Sequence, residues 1–197
     1  MNIFKRYSIF QLLQLAYFKI RTMLLFSSAK IIRFPIDIRG KKFIKISKGF
    51  TTGVGCRIEA YPINNEATLF IGENFQMNDY VHITAMESVK IGDNVLLASK
   101  VYISDCSHGS YSGDEHDSNP ESIPKDRPMF SKPVVIEDNV WLCEFVSVLP
   151  GVTIGKGTIV GANSVVSKSL PPNVIAVGTP AKPIKKYNFT TQKWEKI

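Results

Sequence analysis

The 197-residue chain is 44% apolar and 21% charged, a composition that excludes an intrinsically disordered segment and suits one domain with appendages. Its formal net charge of +7 is unevenly spread: residues 1–48 carry eleven Lys and Arg against Asp37 alone, residues 49–167 seven basic and fifteen acidic side chains, and residues 168–197 six Lys against Glu195. Basic ends on an acidic middle suit an anionic phospholipid surface or a phosphate-bearing cofactor, and no motif for nucleic acid accompanies them.

Residues 3–26 predict a helix with a broad apolar face edged by Lys5, Arg6, Lys19 and Arg21. Such a helix can lie in a membrane interface, or it can cap a repeat structure and pack on a neighbouring subunit. The uncharged run Tyr7–Phe18 is shorter than the roughly 20 residues a bilayer span needs and has no signal-peptide cleavage site. Cys56, Cys106 and Cys143 are odd in number and form no CxxC pair, which fits a reducing compartment. The expected location is cytoplasmic, peripheral on the inner face of the membrane.

After this segment (residues 1–35) a six-residue beat sets in, and a fixed short period marks a solenoid. Aliphatic residues return at Ile71, Met77 and Ile83, at Ile91, Leu97 and Ile103, and from Ile136 through Leu142, Val148, Ile154 and Val160 to Val166. Three hexapeptides supply three short strands and three turns, so 18 residues make one triangular coil. The coils read Ile71–Lys90 (with two extra residues), Ile91–His108, Ile136–Thr153 and Ile154–Pro171. Val95, Val101, Ser107, Val140, Val146, Val152, Thr158 and Ser164, four positions after an aliphatic, are expected inside the prism. The fold class is all-β, a parallel solenoid over residues 36–170. Residues 109–133 break the beat with a Gly-, Ser-, Asp- and Pro-rich excursion, expected to wall an active site. A basic tail, 171–197, follows.

The segments GENFQMNDYVHI, LLASKVYISDCSHG, IPKDRPMFSKPVVIEDNVW, LPGVTIG and PPNVIAVGTPAKPIKKYN resemble the hexapeptide-repeat acyltransferases, and among them the bacterial lipopolysaccharide O-antigen and capsule O-acetyltransferases. That resemblance implies a left-handed parallel β-helix, a homotrimer, and acetyl-coenzyme A lying between adjacent prisms. It implies an acetyl transfer to a hydroxyl of a surface-polysaccharide sugar by direct attack. An N-acetyltransferase of an amino sugar or xenobiotic, or a non-catalytic trimeric scaffold, are the other readings.

His108 falls at the family's catalytic histidine. A neutral imidazole can take the proton of an alcohol and return it to the thiolate leaving group. Asn78 matches a family asparagine that bonds the acceptor, with Asp79, His82 and the loop residue His116 as further acceptor candidates. Asp105 is a candidate to orient the imidazole or bind acceptor. Trp141 matches a wall of the acetyl and pantetheine region. Cys143, Glu144, Ala162, Ser167 and Lys168 match positions along the cofactor tunnel, and Lys182 and Lys185 match basic positions near the nucleotide phosphates. Cys106 and Cys143 depart from the family pattern, which has His and Gly there. A zinc site of the carbonic-anhydrase type is not expected, because His82, His108 and His116 lack its closely spaced histidine pair.

Overall fold

A computed structural model describes residues 7–197; residues 3–6 of the expected helix, with Lys5 and Arg6, lie outside the described residues. Three sheets dominate it. Sheet A contains Thr51–Thr52, Gln76–Met77, Leu96–Leu97, Trp141–Leu142, Ile159–Val160 and Val174–Val177. Sheet B contains Ile36–Arg39, Cys56–Ala60, His82–Ala85, Tyr102–Ser104, Ser147–Val148 and Val165–Val166. Sheet C contains Ile44–Ile46, Leu69–Ile71, Val89–Ile91, Val134–Ile136 and Thr153–Ile154. Within these sets neighbouring strands are parallel, and the chain visits C, A and B in rotation.

The six-residue beat maps onto that rotation, each aliphatic stepping to the next sheet and pointing inward. Ile58, Ile83, Ile103, Val148 and Val166 stack in register on sheet B. Met77, Leu97, Leu142 and Val160 do so on sheet A, and Ile46, Ile71, Ile91, Ile136 and Ile154 on sheet C. Apart from Ile46, which is half-buried, these side chains are buried in one continuous core. Full burial of each aliphatic contributes about 1.5–3 kcal/mol. The residues expected inside at the fourth positions are buried as well, from Val95 to Thr158 and Ser164. Ser107 is the exception, and the path of the excursion explains it.

The excursion starts three residues earlier than the beat implies. After Ser104 the chain leaves the prism: Cys106–His108 pairs antiparallel with Met129–Ser131 as a separate ribbon. Ser107 therefore sits outside the core. The circuit resumes at Val134, which pairs with Val89 on sheet C. The loop is internally tied. Arg127 donates from Nη1 to the Tyr111 hydroxyl at 2.7 Å and from Nε to the Ser122 hydroxyl at 2.9 Å, and Tyr111 donates to the His108 carbonyl at 2.6 Å.

The C-terminal tail is ordered sheet rather than an appendage. Val174–Val177 continues sheet A in parallel, and Lys182–Asn188 and Lys193–Lys196 add an antiparallel hairpin.

The N-terminal helix runs Ile9–Leu25, opened by a capping box between Ser8 and Gln11. Phe18 and Thr22 are buried, and Ile32 N donates to the Thr22 hydroxyl at 2.8 Å, tying the helix to the first turns of the prism. Phe10, Leu13, Tyr17, Ile20 and Leu24 remain exposed. Their alternating spacing of three and four places them along one stripe. No helix among the described residues is long and apolar enough to cross a membrane.

Candidate active site

His108 ends the first strand of the ribbon, opposite Met129, and is exposed. With Tyr61, Thr84, Met86, Tyr102, Ser104, Cys106, Ser107 and Met129 it lines a cavity of about 390 Å³ on the outer side of sheet B. The wall arises from register. Glu59, Thr84 and Ser104 are aligned across three strands, as are Arg57, His82 and Tyr102, so successive circuits deliver side chains to one face. Met129 reaches the cavity through its ribbon pairing opposite His108.

Asp105 does not orient the imidazole. It is fully buried, and its carboxylate accepts the backbone N–H groups of Met86, Glu87 and Ser88, each at 2.8 Å. Those donors lie at a corner where the chain turns from sheet B towards sheet C, and a buried N–H without a partner is costly. Asp105 thus secures the corner from which the ribbon departs. Among the described residues no side chain bonds the His108 ring.

Cys106 is half-buried beside it, and burial together with the Asp105 charge pushes its thiol up. Burial does the same to Cys143, with the Glu144 charge adding to it. Neither thiol is therefore the thiolate that nucleophilic catalysis requires.

His82 is on the same face, but its Nε2 donates to Glu59 at 2.9 Å, and its ring lies 5.5 Å from that of Tyr102. Glu59, charged and only 4% exposed, was missed by sequence reasoning, as were its partners. Its Oε1 accepts from Arg39 at 3.1 Å, from Tyr61 at 2.7 Å and from Arg57, and its Oε2 also accepts from Thr84 at 3.5 Å. The available signal was the coil register, which aligns Arg57 with His82 and Glu59 with Thr84.

The remaining candidates lie elsewhere. Asn78 and Asp79 sit at the edge between sheets A and B. The Asn78 side chain accepts from Gln76 at 3.2 Å, while Asp79 accepts the Val54 N–H at 2.8 Å and closes a turn. A Cβ at Gly53 would lie 2.2 Å from Asp79 Oδ1, so this approach requires glycine. Cys143, Glu144 and Ala162 follow along the same edge. Tyr80, Lys100 and Phe145 there hold positive φ of 58°, 61° and 58°, uncommon for bulky residues. Tyr80 and Phe145 are exposed. Ser167 and Lys168 lie at the other edge, between sheets B and C, two strands beyond His108 on sheet B. His116 is exposed on the excursion, 3.8 Å from Glu115.

Trp141, 43% exposed, stands on the outer side of sheet A in register with Ile159 and Ile175. Lys185 lies opposite Ile175 and Lys182 opposite Val177, with a bulge between. Residues directly opposite share a face. The bulge therefore puts two lysines three positions apart on the face that carries Trp141, where strict alternation would have separated them. An apolar row ending in two cations suits a pantetheine arm with phosphates at its end.

The signature of a bacterial transferase hexapeptide of six repeats matches residues 133–168. Over 192 residues, 98% of this chain and 96% of the relative, the sequence is 45% identical to the putative lipopolysaccharide biosynthesis O-acetyl transferase WbbJ of Escherichia coli K12. The chain belongs to the hexapeptide-repeat acyltransferases. A galactoside acetyltransferase solved in complex with coenzyme A superposes on this family member with a TM-score of 0.55 at 35% identity, over 75% of this chain and 72% of that one. AntD, an N-acyltransferase of Bacillus cereus, shares the fold with a TM-score of 0.67 at 22% identity, over 83% and 84% of the two chains.

Burial pushes the Glu59 carboxyl up, but hydrogen bonds from Tyr61, His82 and Arg57 outweigh it and hold the group down at about 2. A depressed folded-state value means stability that is present above the unfolded value near 4.5 and lost as pH falls through about 2. Urea denaturation between pH 6 and pH 2.5 should show stability declining below about pH 4.5, and Glu59→Gln should flatten that part of the decline.

Proposed function

We propose that this protein is an O-acetyltransferase that moves the acetyl group of acetyl-coenzyme A to a hydroxyl of a surface-polysaccharide sugar. The observation that carries the reading is His108 exposed in a cavity beside Cys106, whose thiol is pushed up by burial. That arrangement favours a general base over a covalent relay. The whole-length relative named for lipopolysaccharide O-acetyl transfer, and the coenzyme A complex of the similar galactoside enzyme, support the donor and the acceptor class.

In this reading the sugar hydroxyl sits against the neutral His108 imidazole. As the oxygen attacks the thioester carbonyl, the ring takes its proton and then returns it to the departing thiolate, so no acyl-enzyme forms. Trp141 and the row through Ile159 flank the pantetheine arm, Lys182 and Lys185 meet the phosphates, and Asn78 bonds the acceptor.

One chain places these groups at different edges. His108, Ser167 and Lys168 lie between sheets B and C, while Asn78, Cys143, Glu144 and Ala162 lie between A and B. We take the prism to be a left-handed β-helix in a homotrimer, in which the B/C edge of one subunit faces the A/B edge of the next and the cofactor lies in that groove. The basic N-terminal region and the exposed stripe of the helix favour a cytoplasmic enzyme resting on an anionic membrane, where a lipid-linked glycan would be met.

His108→Ala should lower thiol release from acetyl-coenzyme A in the presence of acceptor by about 10²–10⁴-fold with an unchanged denaturation midpoint; retained transfer removes the base assignment. Light scattering should return a mass three times that of the chain, and a fully active monomer would contradict a groove between subunits. Removing residues 1–26 should reduce co-sedimentation with vesicles containing phosphatidylglycerol, whereas unchanged sedimentation would leave the helix a packing role.

A further inference from the structure

Acetyl transfer at His108 makes no use of one built feature of sheet B, the Glu59 cluster beside the cavity. We propose that Arg57, Tyr61 and His82, together with Tyr102, form a second acceptor subsite that holds the sugar unit adjoining the one acetylated, with Glu59 as its positioning residue. The proposal rests on the O-acetyltransferase reading and specifies its acceptor as a glycan of at least two units.

The cluster is continuous with the cavity. Tyr61 and Thr84 line the cavity and also bond Glu59, so the cluster is the cavity's own wall extended along the sheet. It also lies in the direction a longer acceptor can take. Arg39, Arg57 and Glu59 belong to the circuits before His108, whereas Trp141, Ala162, Lys182 and Lys185 belong to those after it. A glycan lying over the cluster leads away from the cofactor side and does not compete with it.

The state of the polar groups points the same way. Both oxygens of Glu59 are occupied by donors, so this carboxylate is neither a free base nor a ligand and acts through the groups it holds. Arg57, by contrast, has a side chain 43% exposed, and among the described residues its guanidinium bonds only through Nη2, to Glu59, so it has N–H donors to offer. Those donors can meet an acceptor oxygen that approaches from outside. Tyr61 and Tyr102 are 47% and 36% exposed, and their rings offer flat apolar walls next to those donors. Flat rings beside fixed donors suit a pyranose, with its apolar C–H faces and oxygen-rich rim.

The test uses de-O-acetylated surface polysaccharide of the source organism, either cut to oligosaccharide fragments or hydrolysed to monosaccharides, with thiol release from acetyl-coenzyme A as readout. Wild type should use the oligosaccharides with a lower KM than the monosaccharides. Arg57→Ala should raise KM for oligosaccharides about tenfold, the scale of one charge-assisted hydrogen bond. It should leave kcat, and the rates on monosaccharides, unchanged. Arg57→Lys should recover part of the loss, and Tyr61→Phe, which keeps the ring but removes one of the three donors to Glu59 Oε1, should give a smaller rise. Equal losses on both acceptors, or a lowered native mass, would assign Arg57 to folding or subunit contact and overturn the subsite. Unchanged kinetics would overturn it as well. Failure of the underlying reading looks different: wild type would then acetylate neither acceptor, and both proposals would fall together.

Discussion

Everything in this protein depends on parallel stacking at constant register. Each circuit lies on the one before it, so the inward aliphatics meet their own kind on the next circuit. The backbone groups of short strands, only two to five residues in the parallel sheets, are satisfied by the neighbouring circuits. A two-residue strand such as Trp141–Leu142 has no independent stability; it exists because Leu96–Leu97 and Ile159–Val160 flank it. The same constraint governs the outer surface. Register that aligns Ile58, Ile83 and Ile103 inside also aligns Arg57, His82 and Tyr102 outside. The core and the outer wall of sheet B are two sides of one pairing.

Departures from that regularity shape the outer surface. At Ser104 the chain leaves the prism, and Asp105 holds the corner by accepting three backbone donors while contributing nothing to the imidazole. Two buried carboxylates near the cavity thus serve different ends. Asp105 binds backbone and fixes where the ribbon begins; Glu59 binds side chains and fixes which way Arg57, Tyr61 and His82 are held. The bulge opposite Val174–Val177 is a third departure, and it turns two lysines of mixed parity to one face.

The distribution of the groups has its own consequence. A triangular prism separates its edges, so His108 on one edge and Asn78 on another do not meet within a chain. The trimer proposed above would bring the two together by setting unlike edges of neighbouring prisms against each other. Along the A/B edge Tyr80 and Phe145 hold positive φ and stand exposed.

The sequence by itself determined the repeat, its phase, the buried aliphatics and the break that carries His108, because a period of six writes the core directly into the order of residues. The lone histidine before the excursion was legible for the same reason, and the motif resemblance supplied the positions proposed for the cofactor. What only the tertiary structure decided were matters of lateral neighbourhood. Glu59 and Thr84 are 25 residues apart and touch because their strands pair. Asp105 turns inward because three backbone donors converge on it. Ser107 falls outside the core because the ribbon starts at Cys106, and Lys182 and Lys185 share a face because of a bulge. Spacing along a chain records which way a side chain points only while the pairing stays regular; where a strand leaves or bulges, the partner strand decides.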